Sequence, residues 1–300
     1  MAIAGKLALA AIGLALAGAA QAGTQAHITD FKCGHCNEWN APQNPFNIYG
    51  NTWYVGVQGL SALLITSPKG HILLDGGLPQ SAPLIAKNIK ALGFKMRDVK
   101  LIVNSHEHFD HAGGIAALQR ASGAIVAASA IGARVLKDGE IGKDDAQYEA
   151  DQHPRIDKLA KVQVVGEGET LTVGGLSLTA HMTPGHAPGG TTWTWTSCEQ
   201  GRCLNMVYAD SLTAVSADNY RLTDAPARVA SLRDAIAKIS GLKCDVVVST
   251  HPDFTDTLEK LARKTATSNP FIDPDGCRAY AEQAGKNLDA RLAKESLPKK

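Results

Sequence analysis

The chain has 300 residues, 44% of them hydrophobic and 20% charged, with 30 Lys and Arg against 29 Asp and Glu, for a formal net charge of +1. That near-neutral balance, with no Lys/Arg stripe and no basic–aromatic interleaving, argues against nucleic acid as a partner. The apolar content is enough for one large domain with a substantial core.

The N-terminus carries one charge, Lys6, then an apolar run from Leu7 to Leu16 and the small-x-small sequence Ala20-Gln21-Ala22. Residues 1–22 are therefore expected to be a secretory signal peptide, removed after Ala22. The run is too short and too alanine-rich to span a hydrocarbon layer of about 30 Å. The mature chain, 23–300, is expected to be a single domain in the periplasm, with no membrane contact after cleavage and a net charge near zero once Lys6 is gone.

Thr52–Gln58, Ala62–Thr66 and His71–Asp75 read as consecutive strands separated by Gly, Ser and Pro turns. Ser81–Leu92 reads as a helix capped by Ser81 and ended by Gly93. Lys100–Asn104 is a strand, Gly113–Arg120 opens a helix, Ala124–Ala128 is a strand and Ile131–Gly139 a helix. Further on, Leu176–Met182, Thr191–Thr196, Leu204–Ala209 and Asp245–Thr250 read as strands, and Val229–Ile239, Thr257–Ala266 and Cys277–Leu292 as helices. In both halves strands meander first and then alternate with helices. This α/β pattern predicts two mixed β-sheets packed together with helices outside.

The six cysteines of an exported chain favour disulfides. Cys198 and Cys203 bracket EQGR, a short loop between two strands, and are the expected local pair; Cys244 and Cys277 would then tie the last strand to the last helix. Cys33 and Cys36, in CGHC, could form a small disulfide or half a metal knuckle; with no second CxxC to complete a zinc ribbon, a disulfide or free thiols are favoured over metal, and their pairing stays open.

The chemistry concentrates in NSHEHFDHAGG, Asn104–Gly114, between a strand and a helix. Imidazole and carboxylate are zinc ligands. His106 and His108 are two apart and point the same way in an extended segment. Asp110 and His111 follow as the chain turns, and Gly113 and Gly114 permit a tight entry into the helix. One turn thus offers ligands to two adjacent metals. His186, in TPGHAPGG, and His251, in STHPD, occupy the same strand-then-turn context. Three plus three ligands leave open positions on both ions, which marks catalytic zinc. His27, His35, His71, His153 and His181 lack a partner pattern and read as non-ligands.

HxHxDH, a Gly-His turn and a strand-end histidine together resemble the metallo-β-lactamase superfamily over nearly all of the mature chain. CxxCxxWNxPxxPFxIYGNTWYVG from Cys33, TPGHAPGG, TTWTWTSCEQGRC and YADSLTAVSADNYR are more closely similar to subclass B3, the last three especially to its acquired Serratia-type carbapenemases. The resemblance implies an αββα sandwich and two Zn2+ per chain. It implies His106, His108 and His186 on the first zinc and Asp110, His111 and His251 on the second, His111 standing where other subclasses have arginine. Ser211 and Thr213 match positions that meet the substrate carboxylate, and Gln147 a polar residue on the loop over the site. Cys198–Cys203 and Cys244–Cys277 match disulfides of the group; CGHC departs from it.

The expected reaction is hydrolysis of carbapenems, penicillins and cephalosporins, small-molecule β-lactams, by a zinc-held hydroxide, with antibiotic resistance as the consequence. Asp110 orients the nucleophile and handles its proton, and Ser211 binds rather than attacks, since DSL lacks a G-x-S-x-G elbow. A monomer is expected. The rival is a thioester, lactone or phosphoester hydrolase on the same fold, kept in play by Asp210, which could bridge two metals or support the strand end. A non-enzymatic periplasmic metal-binding protein is the remaining alternative.

Overall fold

Apolar runs such as LLI and VVVS are buried on both faces, so their strands lie inside a layered structure and not at its surface. The computed structural model describes residues 1–2, 27–149 and 154–297; most of the expected signal peptide and His153 lie outside the described residues. A seven-stranded sheet comprises, in spatial order, β1 (Phe46–Tyr49), β2 (Thr52–Tyr54), β3 (Leu63–Ile65), β4 (His71–Leu74), β5 (Val99–Val103), β6 (Ile125–Ala128) and β7 (Gln163–Val164). It is antiparallel as far as β4 and parallel from β4 onward. A five-stranded sheet holds β8 (Thr170–Val173), β9 (Leu176–Met182), β10 (Thr191–Glu199), β11 (Arg202–Ala209) and β12 (Val246–Ser249), with only β11 and β12 parallel.

The sheets pack through Leu63, Leu74 and Val103 on one side and Leu178, Trp193 and Met206 on the other. Each such large apolar side chain contributes roughly 1.5–3 kcal/mol when buried. The fully buried Trp193 donates its indole N–H to the Asn104 carbonyl at 3.0 Å, so its polar atom is satisfied. The other face of the larger sheet is covered by α2 (Ala82–Ala91), α4 (Ile115–Ser122) and α5 (Ala130–Asp138), through Ile85, Ile89, Leu118 and Leu136. The other face of the smaller sheet meets α6 (Pro226–Ser240) and α8 (Gly276–Glu295) through Val207, Val247, Ile239 and Tyr280. This is the expected αββα sandwich. The short helices α1 (Cys36–Trp39), α3 (Phe109–Ala112) and α7 (Thr257–Arg263) complete the set.

Two readings need correction. The strand expected over Thr52–Gln58 ends at Tyr54, because the chain folds back through Val55 N–H to Ala62 and Val57 N–H to Leu60. Ser81 does not cap α2; it closes a preceding 3₁₀ turn, accepting from Leu78 N–H and donating to Asn40 Oδ1 at 2.7 Å.

Cys198–Cys203 closes the β10–β11 hairpin, Cys244–Cys277 joins the approach to β12 to the first turn of α8, and the open question at CGHC resolves as a Cys33–Cys36 disulfide. Among the described residues, no helix is long and apolar enough to cross a membrane.

Candidate metal centre

β4 and β5 run parallel, as do β11 and β12, and β9 shares the direction of β11 because both oppose β10. The loops leaving these strands meet at one edge of the sandwich. They carry Asp75 after β4, His106–His111 after β5, His186 after β9, Asp210 after β11 and His251 after β12. Rigid strands thus present the reactive groups on loops.

The turn after β5 is tied down from below by Asp75. Its Oδ1 accepts Ser105 N–H at 2.7 Å and its Oδ2 accepts the Ser105 hydroxyl at 2.6 Å and the Tyr208 hydroxyl at 2.8 Å. Asp75 holds the left-handed backbone at φ 62° to make these contacts, a conformation that is uncommon outside glycine. Burial pushes its carboxyl above the usual carboxylate range.

All six expected ligands come together. Asp110 Oδ2, His111 Nε2 and His251 Nε2 form a triangle with sides of 3.2, 3.2 and 3.3 Å. A tetrahedral zinc with bonds of about 2.0–2.1 Å places neighbouring ligand atoms about 3.3–3.4 Å apart. The triangle therefore fits one face of such a tetrahedron. In the second trio, His108 Nδ1 lies 3.1 Å from His186 Nε2. His106 Nε2 completes it, buried and without any hydrogen-bond partner. The ligand atoms of His106, His108 and His186 all lie within 4.8 Å of one another, and those of His106, Asp110 and His111 do so too, so the trios adjoin.

Four of the five rings are fixed from behind. His106 Nδ1 meets Asp210 Oδ1 at 2.8 Å, His108 Nε2 meets Asp145 Oδ2 at 2.9 Å, and His186 Nδ1 donates to the Thr213 carbonyl at 3.0 Å. His251 Nδ1 donates to the Gly59 carbonyl at 3.1 Å. Such partners fix the ring tautomer and turn the other nitrogen's lone pair to the centre. Burial, reinforced by the neighbouring His108, lowers His186 to about 3, and burial holds His106 well below the ordinary imidazole value. Both rings are neutral donors at physiological pH. Burial alone would raise Asp110, but His111 and His251 override it and keep the carboxyl well below its usual range.

Asp210 sits behind His106, and burial pushes its carboxyl well above the usual range. Its Oδ1 contacts the ring nitrogen opposite the orphaned Nε2, the position of a supporting group, while its Oδ2 is buried without a hydrogen-bond partner. Ser211 and Thr213 lie at the site; the Ser211 hydroxyl meets Thr250 Oγ1 at 2.7 Å and the Thr213 hydroxyl meets His186 Nδ1 at 2.8 Å. Gln147 Nε2 comes to 3.4 Å from His108 Nδ1. The other described histidines lie apart from the trios, with partners of their own: His27 with Asp157, His35 with Glu38, His71 with Ser67 N–H and His181 with Thr194.

Sequence reasoning missed Asp75 and Asp145 as supports, and it missed Glu107. Glu107 accepts Gly189 N–H at 2.9 Å and so ties the His186 loop to the HxH turn. The one available signal was position: Asp75 ends an apolar run, as Asp210 does.

Residues 55–198 match the model of the metallo-beta-lactamase superfamily. The structure is similar to that of the Rm3 metallo-beta-lactamase, with a TM-score of 0.85 and 50% identity, covering 89% of this chain and 100% of that one. It is similar to MEM-A1, a subclass B3 metallo-beta-lactamase from a soil metagenome library, with a TM-score of 0.83 and 50% identity, covering 86% of this chain and 98% of that one. A hydroxyacylglutathione hydrolase of Anaeromyxobacter dehalogenans is 32% identical over 213 residues, 71% of this chain and 66% of that protein, so the chain spans just under two-thirds of that relative's length. The chain belongs to the metallo-beta-lactamase superfamily.

Proposed function

We propose that the chain is a di-zinc β-lactamase of subclass B3 that opens carbapenems, penicillins and cephalosporins. It acts as a monomer in the periplasm, as a single domain of residues 23–300 after removal of 1–22. The observation that carries the reading is the pair of adjoining trios, one of them a 3.2–3.3 Å triangle, in a chain 50% identical to a metallo-beta-lactamase over that protein's whole length.

His106, His108 and His186 hold the first zinc, and Asp110, His111 and His251 the second. When bound, the pair supplies Lewis acidity towards the lactam carbonyl and lowers the pKa of water towards neutrality. The protein's groups do the rest. Asp110, kept ionised by His111 and His251, orients the attacking water and takes up its proton. That proton passes to the lactam nitrogen as its bond to the carbonyl carbon breaks. Ser211 and Thr213 receive the substrate carboxylate beside the His186 loop, and Gln147 closes over the site from the loop bearing Asp145. Ser211 needs no base, since its partner is the Thr250 hydroxyl.

The second reading, a thioester hydrolase, is supported by the likeness to the hydroxyacylglutathione hydrolase. Its claim on Asp210 as a metal bridge is weakened by the 2.8 Å contact of that carboxylate with His106 Nδ1. The Asp210→Ala variant separates the two. As a support, its loss should weaken first-site zinc roughly 10–100-fold and leave the second zinc in place. Loss of both ions together in equilibrium dialysis would favour the bridging role and the rival reading.

A further inference from the structure

Two of the three disulfides fall within the expected framework of the fold; Cys33–Cys36 does not, and the proposed reaction makes no use of it. We propose that Cys33–Cys36 is a thiol–disulfide exchange site whose redox state sets the affinity of the second metal position through Trp39, Gly59 and His251. The inference rests on the ligand assignment above.

The path from sulfur to ligand is short. Cys33 and Cys36 flank the start of α1, a helix of four residues. A single turn cannot pay for its own nucleation. It is held instead by the cross-link and by packing on Val57, Leu60 and Leu78. Trp39 ends this turn. Its carbonyl accepts Gly59 N–H at 2.9 Å, and the Gly59 carbonyl accepts His251 Nδ1 at 3.1 Å. A Cβ on Gly59 would lie 2.6 Å from Trp39 Cδ1, so the indole rests directly on the Gly59 backbone. The indole also stands edge-on to the His251 ring, with centroids 5.3 Å apart. One peptide unit therefore joins the cross-linked turn to the ring that completes the Asp110–His111–His251 triangle.

The pair is built for access. Cys33 is partly exposed between exposed neighbours, while Cys36 is buried at 2%. The closed loop has a sequence separation of 3, against 33 for Cys244–Cys277. A short loop restricts the unfolded chain least, so this bond has the least chain-entropy reason to persist. The co-reactant is a dithiol reductant. Its thiolate attacks Cys33 Sγ, the S–S bond breaks, and Cys36 Sγ leaves as a thiolate and takes a proton. The reductant's second thiol then closes on the mixed disulfide and releases Cys33. Two electrons pass from the dithiol, which is oxidised, to the protein disulfide, which is reduced. The freed turn no longer holds Trp39 against Gly59, and the Gly59 carbonyl loses its fixed aim at His251.

The test is a buffered zinc titration of the full-length mature protein carrying Cys33→Ser and Cys36→Ser, beside the unaltered protein and a Cys198→Ser/Cys203→Ser control. The second zinc should bind roughly 10–100-fold more weakly in the first variant, as expected for loss of a ligand's supporting contact. First-site affinity should be unchanged, and the control should match the unaltered protein at both sites. If the variant does not fold, the unaltered protein is reduced with a dithiol, desalted anaerobically and titrated for the same comparison. Equal second-site affinity in oxidised and reduced forms, or equal weakening at both sites, overturns the proposal. If His251→Ala leaves the second binding event of the oxidised protein unchanged, the ligand assignment is what fails.

Discussion

Four of the five imidazoles at the centre give one ring nitrogen to an oxygen acceptor and keep the other for the interior. The division of ligands follows from which atoms remain. His186→Ala should cost the first zinc and His251→Ala the second, taking zinc from near two per chain towards one in elemental analysis. A variant that keeps both ions and full activity removes that histidine from the set. Protonation gives a second test. Burial lowers folded His186 to about 3 from 6.5, so between those values the unfolded chain binds more protons at this residue. The stability His186 contributes in its neutral form is present above pH 6.5 and is lost as pH falls towards 3. In chelated protein, denaturant unfolding should show the unaltered chain losing stability relative to His186→Ala between pH 7 and 4.5. A difference that stays constant with pH contradicts the assignment. The candidate ligands were legible because HxHxDH sets their types and spacing in one turn, with His186 and His251 at strand ends. Asp145 was not, because its contact with His108 spans 37 residues and no local pattern records it.

At the scale of elements, the runs of β3, β4 and β12 were readable because strands buried on both faces are largely apolar, and β9 because its buried Leu178 and Ala180 alternate with less buried residues. β8 escaped, although Gly174 and Gly175, at φ 56° and 92°, form the two-residue turn of the β8–β9 hairpin, a sequence signal for that turn. β7 is two residues long and exposed, too short for any periodicity. Ser81 had the composition of a helix cap, but a preceding 3₁₀ turn and Asn40 claimed its hydroxyl. The disulfide joining the approach to β12 to α8 closes a loop of separation 33, worth about 3–4 kcal/mol in the chain-entropy model. Replacing Cys244 and Cys277 by serine should lower the unfolding free energy by about that amount, read from denaturant midpoints. A change below about 1 kcal/mol would place the stabilisation of α8 in its packing on β12 instead.

For the whole molecule, two sheets bring the loops after β4, β5, β9, β11 and β12 to one edge, and both candidate metal trios form there from distant segments, His108 and His186 at a separation of 78 and His111 and His251 at 140. The layered class was legible from the order of strands and helices; the edge where the halves meet depended on the HxHxDH resemblance, since pairing between sheets leaves no periodic trace. A fold shared by enzymes acting on lactams and on thioesters does not choose between them; the site has to. The most direct measurement is therefore the purified mature protein assayed in parallel on a carbapenem, a cephalosporin and a hydroxyacylglutathione thioester, with a chelator and then with zinc restored. The account predicts β-lactam opening that chelation abolishes and zinc recovers, with the thioester turned over slowly if at all. Fast thioester hydrolysis with no opening of either β-lactam would contradict it.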